Sequence, residues 1–170
     1  MELRQRKKNR LQGYDYSRAG CYFITICIEG HAEMLGEVVR ECRGAHCAPA
    51  YVRLSDIGCV VKNAILQIPK HYQGVYVDKY VVMPNHIHMI LVLEGNGGRT
   101  MCAPTRRSSI PGILHGMKEA VTKSIGFPIW QKSYHDHIIR NEADYRRIWE
   151  YIDTNPAKWR EDCYYEDGSR

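Results

Sequence analysis

Apolar positions in this chain repeat at two periods, and the changes between them mark out the elements. Tyr22 to Ile28 is rich in β-branched and aromatic residues, has Gly20 and Gly30 near its ends, and predicts a strand. Ile57, Val60, Val61, Ala64, Ile65 and Ile68 then recur at helical spacing, with Ser55 as N-cap and Asp56 in the first turn. Val75 to Met83 and His86 to Leu93 predict two strands joined by a tight Pro84-Asn85 turn. Ile110, Ile113, Met117, Val121 and Ile125 mark a second helix, with Pro111 near its start and Gly126-Phe127-Pro128 at its end. Trp130 to Ile139 reads as extended. Residues 141–154 read as a third helix, stopped at Asn155-Pro156.

The order is strand, helix, strand, strand, helix, strand, helix. Its first six elements match the split βαβ pattern of an α+β, ferredoxin-like fold. In that architecture both crossover helices cover one face of an antiparallel sheet. The other face is free for a ligand or a further helix. Side chains alternate along a strand, so Ile87, Met89 and Leu91 are expected toward the covering helices. His86 and His88 are then expected on the opposite face.

Two imidazoles side by side on one strand are costly to bury and well suited to a divalent metal. The spacing alone is weak, because a half-exposed strand carrying two polar histidines reads the same way. The third helix adds to it. At about 100° per residue, Ile148, Trp149 and Ile152 fall close to Tyr145 and form an apolar stripe. Tyr151 falls well off that stripe, and Asn155, four residues on, shares its face. A surface tyrosine with Asn155 as C-cap is the plainer reading of the helix by itself.

With 170 residues the chain suits one domain with a real core. Apolar residues at 44% and charged residues at 25% are those of an ordinary globular protein. No apolar run approaches the roughly 20 residues needed to span a bilayer, and the basic start lacks a signal-peptide core, so cytoplasmic residence is the expectation. The seven cysteines are odd in number and include no C-x-x-C pair, which argues against a disulfide framework and a four-thiolate zinc site. Cys27 and Cys59 lie in apolar patterns and read as core thiols. Two loops share Cys-Ala-Pro, at 47–49 and 102–104. A metal site built from Cys47, Cys102 and His46 is a further candidate, with no mechanism suggested by the pattern.

The net charge of +5 matters through its placement. Arg4, Arg6, Lys7, Lys8 and Arg10 crowd the N-terminus, and Arg106-Arg107 forms a second cluster in a loop. Such patches attract phosphate backbones, although a basic terminus is also an ordinary solvated tail. Combined, the pieces suit phosphodiester chemistry. Two imidazoles and an amide oxygen leave positions open on a divalent ion for phosphate oxygens and water. Such an ion acts as a Lewis acid, and a tyrosine can serve as nucleophile. No glycine-rich phosphate loop is present.

Five blocks stand out: Asn9-Arg10-Leu11 with Tyr14-Asp15-Tyr16, Tyr22 to Cys27, Met83-Pro84-Asn85-His86-Ile87-His88, Trp130 to Arg140, and Asp144 to Pro156. In these blocks the chain resembles the REP-associated tyrosine transposases, a branch of the single-tyrosine HUH transposases. The blocks run over most of the chain, while the loops at 41–50 and 95–109 carry little of the likeness. The resemblance implies a ferredoxin-like HUH domain over residues 1–170, with 1–16 as a basic DNA-contacting segment. It implies His86, His88 and Asn155 as ligands of magnesium or manganese and Tyr151 as nucleophile. Tyr134 and Tyr145 are rivals for that role, Tyr145 the weaker because it belongs to the apolar stripe. Arg4, Arg6, Lys7, Lys8, Arg10, Arg106 and Arg107 are the expected DNA contacts. The implied activity is cleavage and rejoining of single-stranded DNA near palindromic hairpins through a 5′-phosphotyrosine, by a monomer or homodimer. Two other classes fit the same residues: a hairpin-binding repressor without cleavage, and a metal-dependent phosphodiesterase that uses water.

Overall fold

The computed structural model describes residues 11–40, 42–43, 46–95 and 108–165. A four-stranded sheet forms its centre, from β1 (Gly20–Cys27), β6 (Val75–Val82), β7 (His86–Leu93) and β8 (His135–Ile139). The spatial order is β6-β7-β1-β8 and every pairing is antiparallel. This is the ferredoxin-like arrangement, with α1 (Asp56–His71) and α2 (Ile110–Ile125) as the crossovers. Ser55 caps α1 by accepting from the Gly58 amide at 3.0 Å. Gly58 is required there, because a Cβ would stand 1.9 Å from the Leu35 carbonyl oxygen. Gly126 ends α2 in the left-handed conformation, as its glycine suggests.

The alternation along β7 sets the two sides of the molecule. Ile87, Met89 and Leu91 are fully buried with Val61 and Ile65 of α1 and Ile113 and Val121 of α2 in the main core. Full burial of an aliphatic side chain contributes about 1.5–3 kcal/mol, so this layer is the main source of stability. Ile90, from the other face, packs instead with Ile148 and Ile152 of α3 (Glu142–Thr154). The face left free by the crossover helices is therefore covered by the third helix. A 3₁₀ segment, Asn155–Glu161, continues from α3 with Pro156 in its first turn.

Several features depart from the expected pattern. Between β1 and α1 the chain inserts two small antiparallel pairs: β2 (Gly36–Val39) with β5 (Tyr51–Leu54), and β3 (Cys42–Arg43) with β4 (His46–Cys47). One of the Cys-Ala-Pro segments thus begins in a short strand, while residues 102–104 lie outside the described residues. Cys27 is buried as expected, but Cys59 is exposed, being on the outer side of α1. Trp149 is 40% exposed rather than part of the buried stripe. Its ring is covered instead by the Lys79 ammonium, 3.7 Å from the ring centre, which also pairs with Asp153. A register shift between Val77 and Lys79 skips Asp78, whose carboxylate accepts the Tyr145 hydroxyl.

Candidate metal and tyrosine site

His86 and His88 point to the α3 side of the sheet, as strand alternation requires, but they are 0% and 1% exposed. The face is closed over them by α3 and the segment after it. His86 lies against Trp159 and Tyr164, with ring centres 5.8 and 4.6 Å away. His88 lies against Phe23 at 5.3 Å and Tyr151 at 5.1 Å. Burial penalises the imidazolium. It pushes the His86 pKa down to about 4, against a partial upward pull from Asp162, and the His88 pKa well below its ordinary value. Both rings are therefore neutral at pH 7, the form that binds metal.

Partners on the outer nitrogens orient both rings. Asn85 is fully buried in the β6–β7 turn, where its amide nitrogen donates to the carbonyls of His31 (3.2 Å) and Tyr164 (2.7 Å). Its oxygen is thereby presented to His86 Nδ1, 2.8 Å away, which must donate. The His86 lone pair is then on Nε2. Thr25 stands opposite His88 in the β1–β7 register, and its hydroxyl lies 2.8 Å from His88 Nδ1. A hydroxyl both donates and accepts, so it supports either tautomer of His88. The two Nε2 atoms face each other at 2.9 Å. Two nitrogens each about 2.1 Å from one ion and at right angles to one another stand about 3 Å apart. The pair thus fits neighbouring positions on a single divalent ion. With no ion, one proton must lie between them.

Tyr151 from α3 and Asn155 from the cap that ends it reach the same place. The Tyr151 residue is 37% exposed, yet its hydroxyl lies 3.2 Å from His88 Nε2 and donates to Asp162 Oδ2 at 3.1 Å. Burial, then the charge of Asp162, pushes the Tyr151 pKa up, so the phenol is neutral. Asn155 is 2% exposed and sends its amide nitrogen to Asp162 Oδ2 at 2.7 Å. Its Oδ1 is buried with no hydrogen-bond partner, an acceptor left over on the amide that meets Asp162. The rival tyrosines lie elsewhere: Tyr134 is in the main core beneath α1 and α2, and the Tyr145 hydroxyl is held by Asp78.

The structure therefore brings together His86, His88, Tyr151 and Asn155. Arg4, Arg6, Lys7, Lys8, Arg10, Arg106 and Arg107 lie outside the described residues. The segment that follows the basic tail is anchored, because Tyr16 donates to Asp136 Oδ2 at 2.6 Å and accepts from the Leu11 amide at 3.1 Å. Sequence reasoning missed Thr25, Asn85 and Asp162. The first two could have been found by pairing the strands and noting the amide next to His86. Asp162 gives no periodic signal.

No family model matches the chain. A protein of Haemophilus influenzae described as uncharacterized is 34% identical over 181 residues, covering 97% of this chain and 96% of that protein. The REP-associated tyrosine transposase of Escherichia coli is 29% identical over 100 residues, covering 58% of this chain and 54% of its own length. Among solved structures, a REP-associated tyrosine transposase bound to a REP hairpin matches with a TM-score of 0.61. It is 21% identical, over 88% of this chain and 73% of that one, and supports the fold.

Proposed function

We propose that this chain, which belongs to one family with that Haemophilus protein and is a homologue of the REP-associated tyrosine transposases, cuts and rejoins single-stranded DNA beside palindromic hairpins. One observation carries the reading. A tyrosine hydroxyl from α3 lies 3.2 Å from an imidazole nitrogen of β7, itself 2.9 Å from a second imidazole nitrogen. A phenol hydroxyl and two imidazole nitrogens thus meet, the phenol coming from a residue 63 positions beyond His88.

In this reading His86, His88 and Asn155 hold a magnesium or manganese ion. Asn85 keeps the His86 Nε2 lone pair available to it, and Thr25 supports the tautomer of His88 that presents Nε2 as well. When bound, the ion polarises the scissile phosphate and offsets the charge that develops there. Tyr151 is held by α3 within reach of that phosphate. Its Oη forms a bond to phosphorus as the bond to the 3′-oxygen breaks. The phenol loses its proton and the departing oxygen gains one, leaving a 3′-hydroxyl and a 5′-phosphotyrosine. Attack by a 3′-hydroxyl on that phosphotyrosine rejoins a strand and restores the phenol. Phe23, Trp159 and Tyr164 wall the histidines from water. The basic N-terminal and Arg106-Arg107 clusters contact the DNA backbone.

The test is cleavage of hairpin DNA labelled at its 5′ or 3′ end, with manganese and with excess chelator. Cleavage should require the ion and vanish in His88→Ala, while hairpin binding is largely kept. Cleavage at the wild-type rate in chelator would overturn the metal role. Binding without cleavage under any condition would favour a repressor. Hydrolysis with no protein-linked strand would favour attack by water.

A further inference from the structure

The ligands named above are all neutral. Three neutral groups, two of them nitrogen, make a weak site for a hard divalent cation, which favours anionic oxygen. We infer that Asp162 is a ligand of the same ion, so that the set is His86, His88, Asn155 and Asp162 and carries one negative charge. This rests on the metal reading and extends it to a residue that no pattern in the sequence marks.

Three observations support it. One ligand atom from each of His86, His88 and Asp162 lies within 4.8 Å of the others, although the residues come from β7 and from the segment after the 3₁₀ turn. Among the described residues the donors to the carboxylate are neutral: Tyr151 Oη at 3.1 Å and Asn155 Nδ2 at 2.7 Å on Oδ2, the Tyr164 amide at 2.8 Å on Oδ1, and the Cys163 thiol. Among the described residues no lysine or arginine pairs with it. A half-buried carboxylate without a countercharge, facing two uncharged imidazoles, is costly, and a divalent ion supplies the missing charge. Finally, the Asn155 amide spends its nitrogen on Asp162 and leaves its buried oxygen unpartnered. The two ends of one amide share a carbon, so that free oxygen sits beside the same carboxylate. The donor set is then two imidazole nitrogens and two oxygens, which on a six-coordinate ion leaves about two positions for phosphate and water.

The experiment uses the full chain without DNA and manganese as the probe. Mn²⁺ affinity is measured by calorimetry for wild type, Asp162→Asn, Asp162→Glu and His88→Ala, with thermal melts to check folding. Asp162→Asn keeps the size and the hydrogen-bond acceptor but removes the charge. It should weaken Mn²⁺ binding at least tenfold, Asp162→Glu should recover part of that loss, and His88→Ala should remove site-specific binding. Water-proton relaxation of the wild-type Mn²⁺ complex gives a readout that needs no variant. Four protein ligands on a six-coordinate ion leave about two waters, and three leave about three. Affinity within twofold of wild type in Asp162→Asn, or three bound waters in wild type, would show Asp162 to be only a hydrogen-bond acceptor and would leave the metal reading standing. Wild-type binding no tighter than that of His88→Ala would overturn both.

Discussion

Thr25→Val removes one hydroxyl and nothing else of consequence. Valine has nearly the shape of threonine and suits a strand, and Thr25 is 3% exposed in the middle of β1. The hydroxyl lies 2.8 Å from His88 Nδ1, and His88 is itself 1% exposed. The variant therefore leaves a buried ring nitrogen without a partner, at a cost of about 1–3 kcal/mol of stability. The ring also loses the hydrogen bond that holds its orientation, with its Nε2 facing His86 Nε2. Removing such an outer partner of a metal-binding histidine weakens metal binding by about 10–100-fold. Urea unfolding in chelator measures the first effect and Mn²⁺ calorimetry the second. Thr25→Ser should retain the hydroxyl and most of the affinity. If Thr25→Val matches wild type in both measurements, the hydroxyl does not set the state of His88, and the account of how the pair is prepared for metal is wrong.

Acid should destabilise the metal-free protein. The His86 pKa falls from its ordinary value to about 4 on folding, so between about pH 6.5 and 4 the unfolded chain binds the extra proton and stability drops as pH drops, by about 3 kcal/mol for His86 alone. Urea midpoints in chelator that stay level from pH 7 to 4.5 would contradict this. Ile152→Ala empties a site that is 1% exposed beneath α3 and should cost about 2–4 kcal/mol. It should slow cleavage more than it weakens hairpin binding, because α3 carries Tyr151 and leads into Asn155; chemical denaturation and the labelled-hairpin assay check it. Deleting residues 1–8 should flatten the slope of log affinity against log salt by about 0.7–0.9 for each phosphate that the segment neutralises, and an unchanged slope would make the segment a bystander.

The central sheet and its three helices were legible because each is a long run at one period with recognisable ends. Ser55, Pro111, Gly126 and Asn141 all sit at the helix ends they suggest. The small pairs between Gly36 and Leu54 were not legible, since strands of two to four residues are too short to show alternation. The exposure of Trp149 was not legible either, because helical angle tells which side chains share a face, not how wide the buried face is. Here the sheet receives Ile148 and Ile152, and Lys79 takes the indole.

The histidine face and the Tyr151-Asn155 face could each be read from spacing, but not their meeting, which depends on how α3 crosses the sheet. The degree of burial was hidden as well. Trp159 and Tyr164, which help close the site over His86, lie beyond the last periodic element. Asp162 was hidden for the same reason. The separation of the three tyrosines was visible only in three dimensions, where Tyr134 enters the main core and Tyr145 joins Asp78.

Covalent capture of DNA decides whether Tyr151 becomes joined to the cut strand. Hairpin DNA carrying a label on the 3′ side of the cut is incubated with manganese and the full chain, and the products are separated under denaturing conditions. Wild type should yield a labelled protein–DNA adduct that maps to Tyr151. Tyr151→Phe, which removes one hydroxyl while keeping fold and hairpin affinity, should yield neither adduct nor cleavage. An adduct that survives in Tyr151→Phe and disappears in Tyr134→Phe would contradict the account, because the nucleophile would then lie on the far side of the sheet from His86 and His88.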